Sequence, residues 1–229
     1  ATTEIYTLSL HDALPICLLL NKILRLMKNS LITLLFLISL LSCAQEKELT
    51  HTEEIEQFQY ELNVHYSDKK TSPLKKDDLK KFKKLSFFPT DKTYRVVANF
   101  ERTPNEPIFE MQTSTERLPL YAQYGIATFT IDGKDLSLRL YKSEESSLDS
   151  EYIDSLFLPF NDLTNGNESY GAGRYIDLKI PEGDTIIIDF NKAYNPYCAY
   201  NDQYSCPIPP RENDLNIEIK AGVLSFDKC

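Results

Sequence analysis

The sequence predicts a mainly β domain, either an antiparallel sandwich or an open barrel, preceded by one or two helices. Three observations carry that expectation. Eight short segments rich in β-branched and aromatic residues follow one another from Thr93 to Gly222, with no long helix between them. Asp132-Gly133 stands between Ile131 and Leu136, the two-residue signal of a type I′ hairpin, whose central positions both need positive φ. Thr50 and Glu53 have the spacing of a capping box and open an apolar stripe at helical period.

The chain has 229 residues. Its first stretch, ATTEIYTLSLHDALPI, resembles translated sequencing-adapter DNA, so residues 1–26 are expected to contribute nothing to the fold. From Met27 the order is that of an export signal: a basic Lys28, an apolar core from Leu31 to Leu41, then small residues. That core falls well short of the roughly 20 residues a membrane-spanning helix needs. It ends in Leu40-Leu41-Ser42-Cys43, which resembles a bacterial lipobox and makes Cys43 the expected lipidation site and mature N-terminus. Residues 27–42 are then the signal peptide and 43–51 a polar tether. The expected location is a cell-envelope membrane, the outer membrane first, with acyl chains on Cys43 as the anchor and the domain in the periplasm or at the surface.

Residues 52–229 read as one domain, long enough for a substantial core. Residues 1–42 hold three basic and two acidic residues, so the mature chain carries 22 basic against 32 acidic and a net charge of −10. Such a surface repels phosphate backbones and argues against nucleic acid as a partner.

The helical region is expected over about 52–85. Ile55, Phe58, Leu62 and Tyr66 share one face, which is read as packing, with His65 beside it. A second helix, Leu74 to Leu85, follows Pro73 and carries six lysines, the pattern of a solvated face. The β region then runs over about 86–229 as TYRVVANFE, IFEMQTST, YGIATFTI, LSLRLYK, LFLPF, YIDLKI, TIIIDF and NIEIKAG. Glu182-Gly183-Asp184 after Pro181 predicts a second hairpin turn.

Two segments interrupt the strands: NDLTNGNESYGAGRY, from Asn161, and DFNKAYNPYCAYNDQYSCPIPPREN, from Asp189. Together with LFLPF and IDL these resemble the domain-of-unknown-function family numbered 1684 of bacteria and archaea, over most of the mature chain from the N-terminal helix to AGV. The resemblance implies a shared fold and no assigned activity. Asp154-Ser155-Leu156 and Asp184-Thr185-Ile186 resemble the O-glycosylation tripeptides of Bacteroidetes lipoproteins.

The residues therefore have to indicate the site. Gly171 and Gly173 permit close backbone approach, and Arg174 offers a forked donor to a carboxylate or phosphate, or a structural partner to Asp189 or Glu212. The Tyr- and Pro-rich loop offers flat surfaces for a sugar ring or peptide. The expected binding set is thus Tyr170, Gly171, Gly173 and Arg174 on one side, with Asn191, Tyr194, Asn195, Tyr197, Tyr200 and Asn213 on the other. In an exported chain Cys198 and Cys206 are expected to form a disulfide across the loop, with Cys229 as the rival partner of either.

For catalysis the absences weigh most. The mature chain has only His51 and His65, both at the N-terminal helix, and Ser169 and Ser205 lack a nucleophile-elbow setting. A carboxylate hydrolase of glycosidase type is the alternative, with Glu168, Asp189 and Glu212 as candidates. A hard cation on Asp189 and Asn191 is the other, and the loop departs from the EF-hand pattern. No cofactor is implied.

Overall fold

The computed structural model describes residues 20–30, 49–145 and 153–226. Contacts divide the chain into a unit of residues 1–48 and a unit of residues 49–229. In the first unit residues 20–30 form a helix, α1. Among the described residues no helix is long and apolar enough to cross a membrane. Cys43, Cys229 and most of the expected signal lie outside the described residues.

The second unit opens with α2, His51–Ser67. The capping box is formed as expected: Thr50 accepts from the Glu53 backbone N–H, and the Glu53 side chain accepts from the Thr50 backbone N–H at 2.8 Å. The lysine-rich segment forms a shorter helix than expected, α3 at Lys76–Lys81. The helix stops at Phe82, whose backbone is extended, and the Leu85 N–H donates to the Asn63 side chain on α2, at 2.6 Å, instead of closing a helical turn.

Seven strands follow: β1 (Arg95–Arg102), β2 (Ile108–Glu110), β3 (Leu120–Ile131), β4 (Lys134–Ser143), β5 (Ser155–Phe160), β6 (Arg174–Lys179) and β7 (Thr185–Asp189). They form one antiparallel sheet in the order β6-β5-β4-β3-β1-β7, with β2 added to β3. The β3–β4 hairpin turns on Asp132 and Gly133 with φ of 49° and 72°, as the type I′ signal requires.

The second expected hairpin is not one. Strands β6 and β7 lie on opposite edges of the sheet, yet only the short link after Lys179 joins them. A link that short spans under about 20 Å even when fully extended. The sheet must therefore curl until its edges approach, and the fold is an open half-barrel instead of a two-sheet sandwich. Alternating residues of every long strand fill its interior, among them Ala98, Phe129, Leu138, Leu158 and Ile188. Phe190, just past β7, touches Phe129 of β3 and Phe160 of β5 at 5.8 and 5.2 Å between ring centres, which ties opposite sides of the barrel together.

The last expected strand, NIEIKAG, has inward alternation without a ladder. Leu215, Ile217, Ile219, Ala221 and Val223 are all buried. Side chains take the place of a neighbouring strand: Asp162 accepts from the Ile219 N–H, and Arg174 donates to the carbonyls of Ile219 and Ala221. Loop backbone supplies the rest, the Leu163 N–H donating to the Ile217 carbonyl and the Phe88 N–H to the Gly222 carbonyl, so the segment needs no regular ladder.

Candidate functional site

The outer face of the sheet carries a row of aromatic rings, and the strand registers explain how they meet. Residues directly opposite on antiparallel strands point to the same face. Tyr141 is opposite Phe157, Phe157 is opposite Asp177, and beyond β6 Tyr175 is bridged to Tyr194 through two backbone hydrogen bonds. Tyr121 joins the row through a β-bulge between Gln123 and Gly125. By strict alternation Tyr121 would point inward with Ala127 and Phe129; the extra residue reverses the parity and aims it outward. Gly125 is needed there, since a Cβ would lie 2.5 Å from the Phe100 ring and 2.7 Å from the Glu101 carbonyl. Neighbouring rings touch along the row: Tyr121 to Phe157 at 5.6 Å, Phe157 to Tyr175 at 4.7 Å and Tyr175 to Tyr194 at 5.9 Å.

Over this row lies a cleft of about 450 Å³. The face of α2 that bears Phe58, Leu62 and Tyr66 forms one wall. The Tyr- and Pro-rich loop, with Tyr197, Tyr204 and Pro207, forms the other. The loop is braced against the helix: Tyr197 stacks on His65 at 6.1 Å and its hydroxyl lies 3.0 Å from His65 Nε2. Tyr175 is braced through its hydroxyl, which donates to the Pro207 carbonyl.

Asp177 is the carboxylate of the cleft. It is exposed to water at the lining of the cleft. Loss of solvation raises its pKa above the ordinary 3.8, and the hydrogen bond it accepts from the Tyr194 hydroxyl at 2.6 Å works the other way. Burial also raises the pKa values of Tyr66, Tyr175 and Tyr194, so the cleft presents neutral phenols. At the rim, half-exposed Arg117 pairs with Glu145 at 3.5 Å and reaches Ser205 Oγ with Nε at 3.4 Å.

Of the residues expected to bind a ligand, Tyr194 and Tyr197 line this cleft. The others lie outside it. Arg174 shares the parity of Ile176 and points into the barrel, fully buried, where it pairs with Asp162 at 2.7 Å. Gly173 has φ of 89° and lies so close to Asn161, Pro209 and the Phe160 carbonyl that no side chain fits; Gly171 is exposed beside Gly166. Asn213 clamps β4 to β5 by bonding the Arg139 N–H and the carbonyls of Arg139 and Pro159. Asn191 bonds both backbone groups of Asp91, Asn195 donates to the Leu224 carbonyl, and Tyr200 is buried against Tyr66 at 4.8 Å. Tyr170 sits behind the loop, its hydroxyl 3.8 Å from Cys198 Sγ.

The three candidate catalytic carboxylates do not converge. Glu168 pairs with Lys220 at 3.3 Å, Glu212 with Arg139 at 3.4 Å, and buried Asp189 with His51 at 2.7 Å, and none lines the cleft. Asp189 and Asn191 do share a hydrogen bond, but Asp189 is taken up by His51 and by capping the turn that follows it. Among the described residues no group of three or more His, Cys, Asp or Glu could hold a metal ion.

The expected Cys198–Cys206 disulfide is not formed. Both are free thiols, with the Cys198 backbone N–H donating to Cys206 Sγ at 3.1 Å. That sulfur is used as an acceptor for the turn at Tyr197–Ala199, which keeps the loop shaped without a covalent bond. The hydrogen bond from Cys206 draws the Cys198 pKa down to about 6, while the same contact and burial push Cys206 up.

Sequence reasoning missed Asp177, Arg117, Tyr121, Phe157, Tyr175 and Tyr204. The one available signal was in YIDLK, where Tyr175 and Asp177 alternate with Ile176 and Leu178, placing an aromatic and an acid together on the outer face.

Fold and site together define a half-barrel β domain with a tyrosine-rich cleft between its outer face, a helix and a Pro-rich loop. The chain belongs to the family described as Protein of unknown function (DUF1684), whose model matches residues 80–224. It is also similar to the uncharacterized protein from gene locus rrnAC0354 of Haloarcula marismortui, whose structure was solved by solution NMR. The identity is 33% over 75% of this chain and 92% of that one, with a TM-score of 0.59. No curated protein matches the chain.

Proposed function

We propose that this chain is a cell-envelope lipoprotein, anchored by acyl chains on Cys43, whose β domain binds a small ring-bearing or extended ligand in the aromatic cleft. The lipobox and preceding apolar core support the anchor. One observation supports the binding role above all: the water-accessible carboxylate of Asp177 stands in a row of four touching rings, in a cavity large enough for a ligand. A carboxylate of raised pKa in a cleft is the kind of group a binding site retains. The cleft replaces the Gly-Ala-Gly-Arg segment with β5, β6 and α2 as the surface facing the Tyr-rich loop.

The test is tyrosine fluorescence, which is clean here because the chain has no Trp. N-acetylglucosamine oligomers and short peptides are titrated into the purified chain and into Tyr197→Ala. Saturable change in the parent that weakens at least tenfold in the variant supports the reading; equal response of both places the ligand elsewhere.

A further inference from the structure

The cleft has an arrangement of charge that neutral-ring binding does not use. Asp177 is contacted by the Tyr194 hydroxyl, and among the described residues no Lys, Arg or His lies within ion-pair distance of it. Its immediate neighbours are ring systems: Phe157 is its cross-strand partner, Tyr175 is two residues before it on the same face, and Tyr194 bonds it. Ring faces carry negative potential and attract cations within about 6 Å of their centres. A carboxylate beside such rings and without a positive partner favours a cation from outside, above all an organic ammonium weakly enough hydrated to leave water.

Arg117 supplies the opposite sign. It lines the same cleft as Asp177 and Tyr121. The two opposite charges thus share one cleft. Arg117 is paired with exposed Glu145 at 3.5 Å, a solvent-screened association readily exchanged for a ligand's acid. Its guanidinium fork suits a carboxylate or phosphate.

We propose that the cleft recognises a small organic zwitterion, with its alkylammonium against Asp177 and the rings of Phe157, Tyr175 and Tyr194, and its acidic group toward Arg117. The inference rests on the cleft being the ligand site and names the ligand's class. The Phe58, Leu62 and Tyr66 face of α2 covers the methylene or methyl groups between the two charges.

The experiment is a backbone amide NMR titration of the purified full-length chain with four probes: glycine betaine, choline, acetate and N-acetylglucosamine. Glycine betaine is expected to shift the amides of Phe157, Asp177 and Tyr194 saturably, choline more weakly, and acetate least. Asp177→Asn, which keeps an acceptor for Tyr194, is expected to weaken glycine betaine and choline at least tenfold. Arg117→Gln is expected to weaken glycine betaine and leave choline unchanged. Tyr194→Phe provides a second variant that alters the carboxylate without removing it. Unchanged glycine betaine affinity in Asp177→Asn overturns the proposal. Saturation by N-acetylglucosamine with no response to glycine betaine also overturns it while leaving the cleft as a site, and silence with all four probes overturns it as well.

Discussion

Arg174 distinguishes a ligand contact from an internal strut. The sequence offers it beside two glycines as a forked donor, whereas in the structure it is fully buried among apolar residues. It pairs with Asp162, donates to the Ile219 and Ala221 carbonyls, and lies near the rings of Phe88 and Phe160. Arg174→Met fills much of the volume but leaves the buried Asp162 carboxylate without its cation and two carbonyls without donors. Breaking one side of a buried pair costs about 3–5 kcal/mol. For a domain of this size that is a fall in Tm of roughly 6–20 °C. Arg174→Lys retains a charge but no fork, so its loss is expected to be intermediate. Urea denaturation followed by circular dichroism gives the stability, and ligand titration at temperatures where each variant is folded gives the affinity. A melting point for Arg174→Met within about 2 °C of the parent, or weakened ligand binding at unchanged stability, would refute the strut.

Four other outcomes are expected. His51→Ala removes the 2.7 Å bond that ties the start of α2 to Asp189 at the end of β7, and should cost about 1–3 kcal/mol in urea denaturation. Asp177 has a raised pKa in the folded state, so its ionisation opposes folding as pH rises through that value, and the stability it contributes is complete only below the ordinary 3.8. Asp177→Asn should therefore raise Tm at neutral pH and lose that advantage toward pH 3, as followed by melting scans across the range. Iodoacetamide should alkylate Cys198 with a rate rising through a pH of about 6, while Cys206 remains protected until the chain unfolds, as read by peptide mass mapping. Cys43→Ser should release the protein from the membrane fraction and remove the acyl mass; unchanged partitioning would exclude the lipid anchor.

The barrel was legible wherever local periodicity matched the final environment. The β3–β4 hairpin followed from two residues, Asp132 and Gly133, because the turn's backbone geometry is decided locally. The β6–β7 connection was read as a hairpin for the same local reasons, and curling of the whole sheet overrode them. NIEIKAG shows true inward alternation, but its backbone partners are the side chains of Asp162 and Arg174 and the backbone of Leu163 and Phe88, all far away in sequence. The site was legible only at Tyr194 and Tyr197. Tyr121 reaches the cleft through a bulge that no alternation pattern reveals, and the helix stripe of Phe58 and Leu62 reads the same whether it covers a core or a cavity. Arg174 misled for a related reason: an arginine beside glycines is as consistent with an internal brace as with an anion site, and only the position of Asp162 decides.

The central claim is that a ligand occupies the cleft over Asp177, and intermolecular nuclear Overhauser effects measure this most directly. With glycine betaine at saturation, the account predicts contacts from its N-methyl protons to the ring protons of Phe157, Tyr175 and Tyr194, lost in Asp177→Asn. Contacts confined to residues outside the cleft, or an identical pattern in the variant, would contradict it.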